Sequence, residues 1–147
     1  MASVYFYVYN TTTGIISFSG SADESSLSYF AGAGEAVGIG QYDSLSYYVQ
    51  NPGTSAATPV LKNLFAITQV ETLLPDDGVD TIIFSGVPAD VDITAPGGTV
   101  YTTASSPATD TVSWSCLYFG VYTFTFSNPY YFPLSLSIEV YEVNPWD

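Results

Sequence analysis

GVYTFTFSNPYYFPLSLSIEVYE, Gly120 to Glu142, is the stretch whose reading decides the fold. Tyr122, Phe124 and Phe126 alternate with Val121, Thr123, Thr125 and Ser127, and Leu134, Leu136, Ile138 and Val140 then alternate with Ser135, Ser137, Glu139 and Tyr141. A period of two places each apolar set on one face of a strand, so each strand requires a core on that side. Small hydroxyls on the opposite faces suit a solvated antiparallel sheet better than strands buried on both faces. The connector SNPYYFP, Ser127 to Pro133, carries three adjacent aromatics that can pack over the end of the sheet or against another chain.

Upstream, DTIIFSG (Asp80 to Gly86), DVDITA (Asp90 to Ala95), Val100 to Thr103 and Thr111 to Tyr118 read as further strands, spaced by turn sequences such as PGG and SSPATD. Short strands at this spacing predict a C-terminal antiparallel β-sandwich over 76–147, of immunoglobulin-like size but without the two cysteines of a disulfide-linked immunoglobulin domain. Before it, 51–75 reads as a linker with a short connecting helix. NPGTSAATP (Asn51 to Pro59) is rich in turn residues, Thr58 can cap a helix, Pro59 can occupy its first position, and Leu61, Leu64, Phe65 and Thr68 fit one helical face. Phe65, Ile67, Val70 and Thr72 leave a strand reading open.

Residues 1–50 read as an N-terminal β-hairpin or meander. Val4, Phe6 and Val8 alternate with Tyr5, Tyr7 and Tyr9, so both faces of the first strand are apolar or aromatic. NTTTG, Asn10 to Gly14, supplies a turn after which IISFSG returns antiparallel. AGAGEAVGIGQ, Ala31 to Gln41, lacks the GK[ST] ending of a phosphate loop and reads as glycine-containing turn or short strand. Leu45 to Gln50 is another predicted strand. The predicted class is all-β.

Composition points the same way. The 147 residues include 13 Tyr and 9 Phe, with Lys62 the only side-chain cation and a net charge of -13. Such a surface has no means of neutralising phosphates, which argues against nucleic-acid binding and anionic membrane surfaces. Salt bridges can contribute almost nothing, and sheet edges lack the lysines that ordinarily discourage edge-to-edge pairing, which favours assembly. Cys116 stands alone, so no intrachain disulfide forms; its setting between Trp114 and Tyr118 predicts a small buried side chain. The opening MASVYFYVYN has no basic region or cleavage signature, and no apolar run approaches the roughly 18 residues of a membrane span, so neither a signal peptide nor membrane insertion is expected.

Catalytic chemistry finds few participants. Without histidine, the triads and metal sites that depend on it are excluded. Asp76, Asp77, Asp80, Asp90 and Asp92 offer oxygen ligands for calcium, but their spacing is not that of an EF-hand and turn capping accounts for them more simply. No cofactor and no metal is expected. A carboxylate-based glycosidase is an alternative, although no pair of carboxylates is singled out. Tyr130, Tyr131 and Phe132, extended by Trp146, are the interface candidates; the same residues serve a second alternative, a carbohydrate or host-receptor binding module. Asn10, Thr11 and Thr12 formally match a glycosylation acceptor and read better as the polar hairpin turn.

YNTTTGIISFSG followed by AGAGEAVGIGQYDSLSYYV resembles small virion proteins of tailed bacteriophages, which open with a strand, a TGxI hairpin, a GExVxxG segment and a Tyr-Val strand. Gly120, Val121 and Tyr122 echo the G-x-Y strand of their C-terminal part. The scarcity of lysine, arginine and long polar side chains departs from that pattern. The resemblance implies a noncatalytic tail, tail-fibre-associated or capsid decoration component, assembled in the host cytoplasm and residing in the virion, with copies of itself and other virion proteins as partners.

Overall fold

The computed structural model describes residues 2–69, 73–103 and 109–143. The fold is all-β, with a single short 3₁₀ segment, Glu24–Phe30, among the described residues. The chain divides into two compact units, the first formed by Met1–Asn63 with Pro129–Phe132 and the second by Leu64–Asn128 with Pro133–Asp147. Residues 51–75, read from the sequence as a linker, are therefore shared between the two, with the division at Asn63/Leu64.

In the first unit, β1 (Ser3–Asn10), β2 (Ile16–Asp23) and β3 (Glu35–Ile39) form an antiparallel sheet in the order β2-β1-β3. The turn between β1 and β2 is built as its residues predict: the Asn10 side-chain oxygen accepts the N–H groups of Thr12 and Thr13, at 2.8 and 2.9 Å. Gly14 follows at φ +77, a conformation that disfavours any side chain, and its carbonyl accepts the Val49 N–H at 2.8 Å. Both faces of β1 are covered. Tyr7 and Tyr9 pack with Ile16 and Val49, whereas Phe6 and Val8 pack with Leu27 of the 3₁₀ segment. The Tyr7 ring lies across Gly38, directly opposite it on β3, in space that any Cβ there would occupy. The glycine-rich stretch is thus a strand that makes room for an aromatic neighbour, and burial raises the Tyr7 phenol above its ordinary value, helped by Tyr9 and Tyr42.

The predicted helix is not present among the described residues. Thr58 and Pro59, expected at its start, lie in β5 (Thr58–Leu61), which pairs antiparallel with β4 (Tyr47–Gln50). Farther along, the Asn63 N–H donates to the Tyr130 carbonyl and the Asn63 carbonyl accepts from Phe132, both at 2.9 Å. Backbone groups that a helix would use internally are committed to a segment distant in sequence, so tertiary pairing overrides a weak helical pattern.

In the second unit, β6 (Thr68–Gln69), β8 (Ile82–Pro88) and β11 (Thr109–Trp114) form one sheet, in the order β11-β8-β6. The other contains β7 (Leu73–Pro75), β9 (Asp92–Thr94), β10 (Val100–Thr102), β12 (Gly120–Ser127) and β13 (Leu134–Tyr141), in the order β10-β9-β12-β13-β7. The β12–β13 register sets Tyr122 opposite Ile138 and Phe124 opposite Leu136, and the core side of the pair holds the alternating apolar residues read from the sequence. On the other side, hydroxyls pair across the strands, Thr123 with Ser137 at 3.1 Å and Thr125 with Ser135 at 3.2 Å. Residues of both sheets enclose one core, in which the Phe84 ring meets Phe124 at 5.0 Å and Phe126 at 5.5 Å. Full burial of each such ring contributes about 1.5–3 kcal/mol relative to exposure. The pairings establish a small two-sheet unit, antiparallel except where β7 joins β13 in parallel at one edge. β11 also ends earlier than its sequence implies: Ser115 to Phe119 form a loop.

Candidate assembly surfaces

Three surfaces follow from this scaffold. The first is the connector between β12 and β13. Pro129–Phe132 belongs to the first unit, and Tyr130, Tyr131 and Phe132 are each half-buried. The Tyr130 ring meets Tyr48 edge-on at 5.1 Å, and its hydroxyl donates to the Thr13 carbonyl at 2.6 Å. Tyr131 forms a parallel bridge with Asn63, whose side-chain amide also donates to the Tyr130 carbonyl, at 3.3 Å. Much of the connector's hydrogen bonding and aromatic area is thus spent inside its own unit. Trp146, the fourth interface candidate, lies outside the described residues.

The second surface is the outer edge of β2. Among the described residues this strand pairs on one side only, with β1, and Ser17 to Ser21 are exposed. Its sequence, ISFSGSAD, contains no lysine, arginine or proline, and its only charge is the terminal Asp23. Free N–H and C=O groups along such an edge can pair with an incoming strand.

The third surface was missed by a strand reading that extended to Tyr118. In the second unit, Leu117, Tyr118, Phe119 and Val121 are 63%, 73%, 63% and 72% exposed, and Val79 is 77% exposed. Their exposure does not come from a loose loop. Gly78 N–H donates to the Cys116 carbonyl at 3.0 Å, Tyr118 N–H donates to Cys116 Sγ at 3.4 Å, and the Tyr122 hydroxyl donates to the Tyr118 carbonyl at 3.0 Å. Beside the loop is a cleft of about 440 Å³ lined by Trp114, Tyr118 and Tyr122, with Gly78, Pro96 and Cys116. Trp114 and Tyr122 also pack against the core, their rings 5.1 Å apart, so the cleft has a fixed floor. Cys116 is half-buried rather than fully buried. The Tyr122 phenol is raised above its ordinary value, first by hydrogen bonding with the Cys116 side chain and then by burial and by the charges of Cys116 and Tyr118. The available signal was the unalternated apolar run LYFGV, whose failure to keep a period of two marks an end of strand structure.

The aspartates serve largely as turn and strand-end acceptors. Asp77 Oδ1 accepts the N–H groups of Val79 and Asp80, at 2.8 and 3.0 Å, which holds its carboxyl below the usual range. Asp76 accepts the Val143 N–H at 2.9 Å, Asp92 accepts the Thr102 hydroxyl at 2.6 Å, and Asp90 adopts φ +58 in the turn before β9. Among the described residues, no group of three or more Cys, Asp or Glu side chains is placed to hold a metal ion. No helix among them is long and apolar enough to cross a membrane.

Compared with protein-family models, with curated proteins and with solved structures, the chain matches none.

Proposed function

We propose that this chain is a noncatalytic structural component of a bacteriophage virion, joining a tail or capsid assembly with copies of itself and other virion proteins. The observation that carries the assembly reading is the outer edge of β2: an eight-residue strand, paired on one side, with no charge before Asp23. Proteins that remain monomeric blunt such an edge with lysine, proline, a covering loop or brevity. Here an incoming strand would satisfy the free backbone groups, and flanking aromatic and apolar side chains would add buried area. The function is then steric and adhesive, without turnover. The virion setting is supported by the resemblance of the TGxI hairpin, the GExVxxG segment and the Gly120-Val121-Tyr122 strand to virion proteins.

Two measurements test the reading. Antibody to the chain is expected to label purified phage particles at the tail or capsid; recovery of the protein only in the particle-free fraction would overturn the virion assignment. Sedimentation velocity is expected to show concentration-dependent association that Ser19→Lys combined with Ser21→Lys weakens by about tenfold, because two charges on the edge oppose strand addition. Association unchanged by that pair of lysines would remove the β2 edge from the assembly.

A further inference from the structure

The cleft and the exposed loop of the second unit form one surface with a distinctive chemistry. Its floor is aromatic and anchored in the core, through Trp114 and Tyr122. Its rim is Leu117 and Tyr118, exposed side chains on a hydrogen-bonded backbone, with the exposed Phe119 next in the chain. A neighbouring turn is acidic: Asp77 flanks Gly78, which contacts this loop, since a Cβ on Gly78 would strike the Leu117 side chain. Lys62 lies in the first unit, so every formally charged side chain of the second unit is acidic.

We propose that this cleft is a docking site for a segment of another protein that presents a lysine or arginine flanked by apolar side chains. Aromatic faces attract a cationic head, the apolar rim covers the stem and neighbouring side chains, and the acidic surroundings favour a positively charged partner over an uncharged one. The fixed floor and rim reduce the ordering cost of binding. A second copy of the chain is a poorer occupant: it brings a large excess of negative charge and only Lys62 to offset it. The inference rests on the assembly reading above and assigns the second unit its own contact.

The test uses the full chain and two short synthetic peptides of equal charge, one alternating lysine with leucine and tryptophan, the other alternating lysine with serine. Amide shifts in nuclear magnetic resonance spectra are expected to concentrate at Gly78, Leu117, Tyr118 and Phe119 on adding the apolar peptide. Its affinity should exceed that of the serine peptide by about tenfold. Leu117→Ser, at the cleft rim, should abolish most of that preference while leaving the circular dichroism spectrum unchanged. Asp77→Asn, which keeps an oxygen for the turn, should weaken binding by about two- to threefold, an effect that added salt erases. Equal binding of both peptides, shifts centred elsewhere, or self-association that protects the same amides without peptide would each overturn the proposal. Any of these results alongside positive particle labelling would leave the virion assignment standing and remove only this docking site.

Discussion

Two aromatic segments flank the same strand, and they meet opposite fates. Leu117 to Phe119 precedes β12 and presents its side chains to solvent; Tyr130 to Phe132 follows β12 and is half-buried in the first unit. Both are apolar, both adjoin strand ends, and neither keeps a strict period of two. The difference is where their hydrogen bonds go. The Tyr130 carbonyl and Phe132 N–H close on Asn63 and the Tyr130 hydroxyl reaches Thr13, whereas the earlier loop is tied to the Gly78 turn, to its own Cys116 sulfur and to the Tyr122 hydroxyl by bonds that leave its side chains outside. Aromatic content therefore identifies adhesive material, while the bonding of the backbone decides whether that adhesion is used within the fold or left for a partner.

Mutations can break this comparison. Tyr130→Ala removes both the edge-on contact with Tyr48 and the bond to Thr13. It should cost about 2–3 kcal/mol in equilibrium urea unfolding, the sum expected of an aromatic pair, a hydrogen bond and partial burial. A cost near zero would show that the connector is not held as described. Tyr130→Phe keeps the ring and deletes only the hydroxyl, so a loss of about 1 kcal/mol isolates the hydrogen bond. Phe119→Ser, on the exposed segment, should change stability by less than about 0.5 kcal/mol, and a larger loss would mean that this ring belongs to the core rather than to a contact surface.

Acid titration gives the smallest expected effect. The folded Asp77 carboxyl is lowered from 3.8 by the backbone N–H groups of Asp80 and Val79, so its contribution is full above that ordinary value and is lost as pH falls through the lowered one. The melting temperatures of the native chain and Asp77→Ala should thus differ near neutral pH and converge in strong acid. A gap that persists unchanged there would assign the turn's stability to something other than the ionised carboxylate.

The β12–β13 pair was legible because alternation over eight residues in each strand leaves only one face able to enter a core. The β1–β2 hairpin was equally legible, since Asn10 and Gly14 supply turn chemistry that acts locally. The segment from Val60 onward was not. Within the stretch of helical spacing, the Asn63 backbone met a distant partner, Tyr130 and Phe132, that local pattern cannot represent. At the surfaces, the aromatic residues of 130–132 were recognised as adhesive but not as occupied within the first unit, and the strand read over 111–118 concealed the loop that is exposed.

By itself, the sequence determined the all-β class, the hairpin turn, the faces of the C-terminal strands, and a surface with one cation that cannot rest on salt bridges. These properties are local or compositional: periodicity, turn chemistry and charge act without reference to distant residues. Only the tertiary structure decided that 129–132 would join the first unit, that Tyr7 would lie over Gly38, and that Leu117 and Tyr118 would rim an open cleft. Each depends on which distant backbone groups and side chains find one another, and the same aromatic residue is a core element or a contact surface according to that pairing.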